Sequence, residues 1–142
     1  MRTLKYWIVA SLLVASVVVG LSISTVSAAD GDQFLGAWKG SWEGGGKSGR
    51  YGLSFARASD GKLTGTVSVS SDSGDYNPKF RLLSFNGNRF TGVYDYTPNE
   101  SWEMSVAGIF DPKNATGTWS LGAKGQPGGQ AYATGTWKVS KQ

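Results

Sequence analysis

The chain has 142 residues, a formal net charge of +4, and neither cysteine nor histidine. Without histidine it lacks the commonest general base and the commonest zinc ligand, and without cysteine it can form no disulfide, so Ser/His/Asp and Cys/His catalysis are excluded. The basic residues are scattered and form no run, which predicts no nucleic-acid partner.

The beginning of the chain has the features of a secretory signal peptide. Two basic residues precede an apolar run from Trp7 to Leu21, and Val26-Ser27-Ala28 supplies small residues for cleavage. We predict a signal peptide over residues 1–28 and one domain over residues 29–142. The alternative is an uncleaved membrane anchor, for which the apolar run is short. We therefore expect a secreted or periplasmic protein with no membrane contact after cleavage.

Alternating apolar and polar residues predict eight strands after the signal segment. In chain order these are Leu35–Glu43, Arg50–Ala58, Lys62–Ser70, Lys79–Phe85, Arg89–Thr97, Ser101–Phe110, Ala115–Gly122 and Gln130–Ser140. Turn signals such as Asp60-Gly61 and Asn86-Gly87 separate consecutive strands, as in a meander. We predict an all-β fold, a single eight-stranded antiparallel up-and-down barrel.

One short phrase occurs four times and supports the barrel. An apolar residue, Thr-Gly, a β-branched residue and an apolar or aromatic residue stand in this order at 63–67, 90–94, 115–119 and 133–137. The glycine shares its parity with the apolar positions, so it lies on the buried face. A glycine there lets a strand bend or lets another part of the wall approach closely. The repetition therefore predicts a sheet that curls.

The two ends of the predicted barrel differ. Long connections at 44–49, 71–78 and 123–129 lie at one end, the mouth, and tight turns lie at the other, the base. Tyr and Trp near the mouth have an apolar body and a polar tip, which suits a ligand site. The predicted site residues are Trp42, Tyr51, Tyr94, Tyr96 and Trp102, with Met104 deeper and Gly44–Gly49 as a lid. Alternatively, these rings only pack the top of a small core.

Two short motifs carry a family resemblance. Gly36-Ala37-Trp38 resembles the Gly-x-Trp start of lipocalins and the Gly-Thr-Trp start of avidins, together called calycins. Leu63-Thr64-Gly65-Thr66 resembles the Leu-Thr-Gly-Thr phrase of avidins. The resemblance implies an eight-stranded barrel that holds a small molecule at the end opposite Trp38. Lipocalins stack an arginine on this tryptophan, and Arg57 is placed to substitute if Trp38 pairs with Phe55; otherwise Arg57 points out past the barrel rim.

Few residues offer catalytic or metal chemistry. Asp95 and Glu103 could form a carboxylate pair, but the predicted register places them diagonally on the outer face, away from any cleft. Asp72 and Asp75 could ligate Ca²⁺, although a solvated loop is the better reading of a segment without a later glutamate. We therefore expect no enzymatic activity, no metal site and no cofactor.

These observations favour a secreted, non-enzymatic binding module that holds a small, partly apolar, neutral ligand at the barrel mouth. One alternative is a carbohydrate or cell-surface interaction domain; another is a structural or inhibitory exported domain with a solid interior. The expected partner is a small amphipathic molecule or a glycan. Sequons at Asn99 and Asn114 would carry glycans only in a eukaryotic source.

Overall fold

The computed structural model describes residues 31–126 and 130–142, which are almost entirely β-structure. The predicted signal peptide lies outside these residues. One turn of 3₁₀ helix, Asp32–Phe34, precedes nine strands. The strands are β1 Gly36–Gly44, β2 Lys47–Arg57, β3 Leu63–Ser71, β4 Gly74–Tyr76, β5 Leu82–Asn86, β6 Arg89–Asp95, β7 Trp102–Phe110, β8 Asn114–Ala123 and β9 Ala133–Lys141. No helix in the described segments is long and apolar enough to cross a membrane.

The strands form one curled antiparallel meander in the order β4-β3-β2-β1-β9-β8-β7-β6-β5. Strand β1 pairs with β9, so the first and last strands are neighbours. Residues 80 and 81 form backbone hydrogen bonds with strands near the two opposite ends of this strand order. The amide of Phe80 donates to the carbonyl of Gly65 in β3 at 2.9 Å, and that of Arg81 donates to Val93 in β6 at 2.8 Å. The predicted all-β antiparallel meander is confirmed.

The strand count differs from the prediction, with nine strands instead of eight. The additional strand, β4, folds back on β3 through a two-residue turn at Asp72-Ser73, inside the segment predicted as a long loop. The predicted strand 79–85 begins later, at Leu82, because residues 78–80 pair with β3 and the chain joins β6 only from Arg81 onward. The break in alternation at Leu82-Leu83 marks this change of partner.

The first hairpin is tighter than predicted. Strand β1 ends at Gly44 and β2 begins at Lys47, so Gly44–Gly49 is a two-residue turn with its flanking strands and not a lid. Gly45 and Gly46 have φ values of 62° and 76°, which favour glycine at both turn positions. The shorter turn also shifts the register, so that Trp38 pairs with Leu53 and not with Phe55.

A lysine occupies the cation position over the base tryptophan. The Lys141 ammonium lies 5.5 Å from the centroid of the Trp38 ring. Arg57, which was expected there, binds the carboxylate of Asp32 with a nitrogen–oxygen distance of 2.6 Å. The altered register explains this difference, because it moves Arg57 further along β2 from the position opposite Trp38.

The base is filled by aromatic side chains. Phe34, from the 3₁₀ turn, stacks on Phe85 with ring centroids 4.8 Å apart, and it also packs against Phe110. Its carbonyl accepts the indole N–H of Trp38 at 2.9 Å, and Trp38 is fully buried. Phe34 therefore plugs the base. It lies before the first strand, where the alternation pattern gave no signal.

The repeated Thr-Gly phrase makes room for aromatic rings. In three places, two glycines on different strands lie beneath one ring, and a Cβ built at any of the six would lie 2.4–2.8 Å from a ring atom. We call such a pair a glycine notch. The notches and their rings are Gly108–Gly117 with Trp137, Gly44–Gly135 with Trp119, and Gly65–Gly92 with Phe80. A ring therefore approaches the glycine of all four copies of the phrase closely, and at Gly117 and Gly135 a backbone carbonyl oxygen would lie nearer still to the Cβ, at 2.0 Å.

Candidate functional site

A cavity of about 310 Å³ lies at the mouth. Its wall contains five of the six predicted site residues: Trp42, Tyr51, Tyr94, Tyr96 and Met104. The volume is at the lower limit of typical small-molecule sites, which measure about 300–1,000 Å³. At about 30 Å³ for each water in the liquid, it has room for about ten waters. The mouth side chains therefore line an opening and do not fill it.

Trp102 has a different place from the one predicted. Its ring does not line the cavity but packs on Tyr132, with centroids 5.1 Å apart. Tyr132 lines the cavity and is 74% exposed, so the two rings form an aromatic rim. Trp102 is the first residue of β7, and its ring lies against the β8–β9 connection rather than inside the sheet.

Three aromatic lining residues were not predicted as site residues. Tyr76, on β4, meets Tyr96 edge to face with centroids 6.0 Å apart. Trp119 and Tyr132 complete the wall from β8 and from the residues before β9. Trp119 had the correct inward parity, which is a usable signal, whereas Tyr76 depends on a short strand within a predicted loop.

The two tryptophans of the wall are held by the backbone. The indole N–H of Trp42 donates to the Ser70 carbonyl, and that of Trp119 donates to the Glu43 carbonyl, both at 3.1 Å. The rings meet edge to face with centroids 5.9 Å apart. Both N–H groups are therefore occupied within the protein, and these rings present apolar surface to the cavity.

Two tyrosine hydroxyls are the buried polar groups of this cavity. Tyr51 is 4% exposed and Tyr94 is 0% exposed, and neither hydroxyl has a hydrogen-bond partner among the described residues. Burial raises the pKa of both hydroxyls; Tyr51 raises the pKa of Tyr94 further, whereas Tyr94 partly offsets the rise at Tyr51. Burial also raises the pKa of Tyr76 to about 12. Tyr51 and Tyr94 are hereafter called the tyrosine pair.

Charge is confined to the edge of the cavity. Of its described lining residues, only Lys47 and Asp72 are charged, and both are exposed. They have opposite signs, so the rim has no net charge. An ion within the cavity would lose its hydration without gaining a buried counter-charge. The lining therefore favours a neutral ligand.

The candidate carboxylate pair belongs to an ion cluster on the outer face. Asp95 and Glu103 are direct partners across the β6–β7 ladder, and Arg81 contacts both carboxylates. Lys124 Nζ lies 2.9 Å from Asp95, and its hydrogen bond, with the charges of Lys124 and Arg81, lowers the pKa of Asp95. Glu103 is 2% exposed beneath Arg81. These ion pairs join β6, β7 and the β8–β9 connection on the outer face.

Asp72 and Asp75, the residues considered as calcium ligands, are exposed or engaged elsewhere. Asp75 accepts a hydrogen bond from the Ser70 hydroxyl at 2.7 Å, while Asp72 lies in the β3–β4 turn. Within residues 31–126 and 130–142, no group of three or more acidic side chains is placed to hold a metal ion.

Comparison with known proteins gives a fold but no family. No protein-family model matches the chain, and no curated protein sequence is similar to it. A solved structure of a redesigned β-barrel, mFAP1, bound to DFHBI, is similar with a TM-score of 0.56 and 10% identity. The match covers 80% of this chain and 98% of that chain. At this identity the likeness concerns the fold alone, which is that of a β-barrel protein.

Proposed function

We propose that the chain is a secreted, non-enzymatic binding module that holds a small, partly apolar, neutral ligand in the mouth cavity. The observation that carries the proposal is an uncharged interior lined by aromatic rings, with two buried hydroxyls that lack partners among the described residues. The similar barrel mFAP1 was solved bound to DFHBI, which supports small-molecule binding in such a fold. Secretion rests on the signal peptide predicted over residues 1–28.

The same proposal includes a closed barrel. Two glycine notches join strands that pair directly, Gly108 with Gly117 and Gly44 with Gly135. The third notch, beneath Phe80, takes one glycine from β3 and one from β6. By analogy, β3 and β6 face each other across a seam that residues 78–81 fill before the chain continues as β5. Without the short β4, eight strands then form the wall. Hydrogen–deuterium exchange tests this closure. Slow exchange of the Phe80 and Arg81 amides would support it, and rapid exchange of these amides would contradict it.

A second candidate function is glycan binding at the rim. The observation that favours it is the contact between Trp102 and Tyr132, whose ring is 74% exposed. Exposed aromatic rings offer apolar faces on which a sugar ring can stack. The two candidate functions use different surfaces, so variants can separate them.

Tryptophan fluorescence tests both functions in the processed protein. We expect compact neutral aromatic compounds to give saturable changes, and fatty acids, biotin and oligosaccharides to give none. Met104→Trp fills the cavity and should abolish this binding, whereas Trp137→Phe, at the base, should lower stability more than affinity. Oligosaccharide binding that Tyr132→Ala removes would favour the rim. Failure of every neutral aromatic compound, or unchanged affinity in Met104→Trp, would contradict the cavity proposal.

A further inference from the structure

The tyrosine pair places an unusual requirement on whatever fills the cavity. Buried polar atoms in proteins are nearly always hydrogen-bonded, because a buried donor without a partner loses its hydration without compensation. Both hydroxyls are buried, and neither has a partner among the described residues. The indole N–H groups nearby are already bound to backbone carbonyls. Among the described lining residues, the tyrosine pair therefore supplies the buried polar groups that lack partners.

Counting hydrogen-bond donors and acceptors indicates which kind of ligand atom the tyrosine pair needs. Each tyrosine hydroxyl contributes one O–H donor and also accepts. If one hydroxyl donates to the other, the second O–H still needs an acceptor, and if they do not bond, both need one. A ligand that only donates leaves at least one O–H unpaired. The ligand must therefore supply an acceptor, and a single oxygen with two lone pairs can serve both donors.

The acceptor should be uncharged. The charged residues of the lining, Lys47 and Asp72, are exposed at the rim, so a carboxylate beside the pair would be desolvated without a buried cation. The raised pKa values of Tyr51 and Tyr94 reflect the same penalty on negative charge.

We propose, on the basis of the binding function above, that the tyrosine pair recognises an uncharged acceptor oxygen, such as a ketone or ester carbonyl, at the inner end of a compact aromatic ligand. The rings of Trp42 and Trp119 contact its flat apolar body. The volume of about 310 Å³ limits that body to one or two rings. The ligand enters oxygen first, with its substituents toward the rim.

Two probes of nearly equal shape test the inference. 2-Acetylnaphthalene carries a carbonyl where 2-ethylnaphthalene carries a methylene, and tryptophan fluorescence gives both dissociation constants. The ratio of the hydrocarbon constant to the ketone constant should fall about tenfold from the native protein to Tyr51→Phe/Tyr94→Phe, since one net hydrogen bond corresponds to about that factor. The hydrocarbon should bind the double variant at least as tightly as the native protein, which provides the internal control.

The ratio of the two dissociation constants tests the oxygen inference separately from binding in the cavity. A ratio that does not change overturns the oxygen inference while leaving the cavity as a binding site. Tighter binding of 2-naphthoate than of the ketone overturns the uncharged acceptor. If neither naphthalene binds, this inference fails, and the wider panel decides the proposed function separately. Tyr94→Phe alone should shift the ratio in the same direction, so the test does not depend on folding of the double variant.

Discussion

Filling a glycine notch should destabilise the fold in a way that depends on its ring. In Gly92→Ala the new Cβ would lie 2.5 Å from the Phe80 ring, about 1 Å inside ordinary contact. The ring cannot simply move away, because it stacks on Phe55 at 6.2 Å and meets Phe90 at 5.6 Å. Overpacking of a filled core costs about 1–3 kcal/mol, so we expect a loss of about 2 kcal/mol in the free energy of unfolding.

Urea denaturation followed by tryptophan fluorescence measures this loss. The matched control is Gly122→Ala, whose Cβ would meet, among the described residues, only the Gln130 carbonyl oxygen at 3.7 Å, so this change should cost little or nothing. Combining Gly92→Ala with Phe80→Leu should cost clearly less than the two single losses together, because the smaller side chain gives space to the methyl group. Equal effects at the two glycines, or additive losses in the double variant, would refute the notch as the reason for the repeated glycine.

Three further predictions concern the core, the outer face and pH. Trp38→Ala should lower the free energy of unfolding by about 3–5 kcal/mol, whereas Thr66→Ser should cost far less; similar melting temperatures would contradict the inside and outside assignment. Arg81→Ala should cost about 2 kcal/mol, because Glu103 loses the charge-assisted hydrogen bond from its cation, and Glu103→Gln added to it should restore part of the loss in urea denaturation. Tyr76, with a pKa of about 12, and the tyrosine pair keep protons that unfolded tyrosines release near pH 10. Stability should therefore be complete below about pH 10 and fall as the pH rises toward 12, and phenylalanine at the tyrosine pair should make this fall shallower in urea titrations.

The buried face could be predicted because strand parity is a local property. Side chains alternate strictly along a strand, so one inward residue fixes its neighbours, and Trp38, Tyr51 and Tyr94 were placed correctly. Phe34 and Tyr76 were missed because each belongs to a short element whose position depends on contacts with distant strands. Glu103 had the predicted outward parity and is buried all the same, since Arg81, far away in sequence, lies over it.

The predicted loops were partly wrong for a different reason. Gly44–Gly49 was predicted as a long connection and a lid, yet Gly45-Gly46 forms a two-residue turn in which both residues have positive φ values. A Gly-Gly pair between alternating segments is itself a hairpin signal, so this turn was predictable from the sequence. The third long connection, 123–129, lies partly outside the described residues.

The state of the donors in the site could not be predicted. Both tryptophans and tyrosines near the mouth were expected to offer polar tips to a ligand. The structure divides them, because the carbonyls of Ser70 and Glu43 bind the indole N–H groups of Trp42 and Trp119. Those carbonyls reach the rings only through the pairing register of distant strands. The sequence contains the side chains, but their remaining hydrogen-bonding capacity is a property of the assembled sheet.

The glycine notches also explain why open space remains at the mouth. Trp119 lies over Gly44 and Gly135, so its ring occupies volume that two side chains would otherwise fill, and its N–H holds it against the wall. At the base, Phe34 adds a ring from outside the sheet, and the interior is filled. The mouth receives no such plug among the described residues. A ring held in a glycine notch therefore has different consequences at the two ends. At the base the rings pack against one another and fill the interior, whereas at the mouth the Trp119 ring lies against the wall and leaves a cavity.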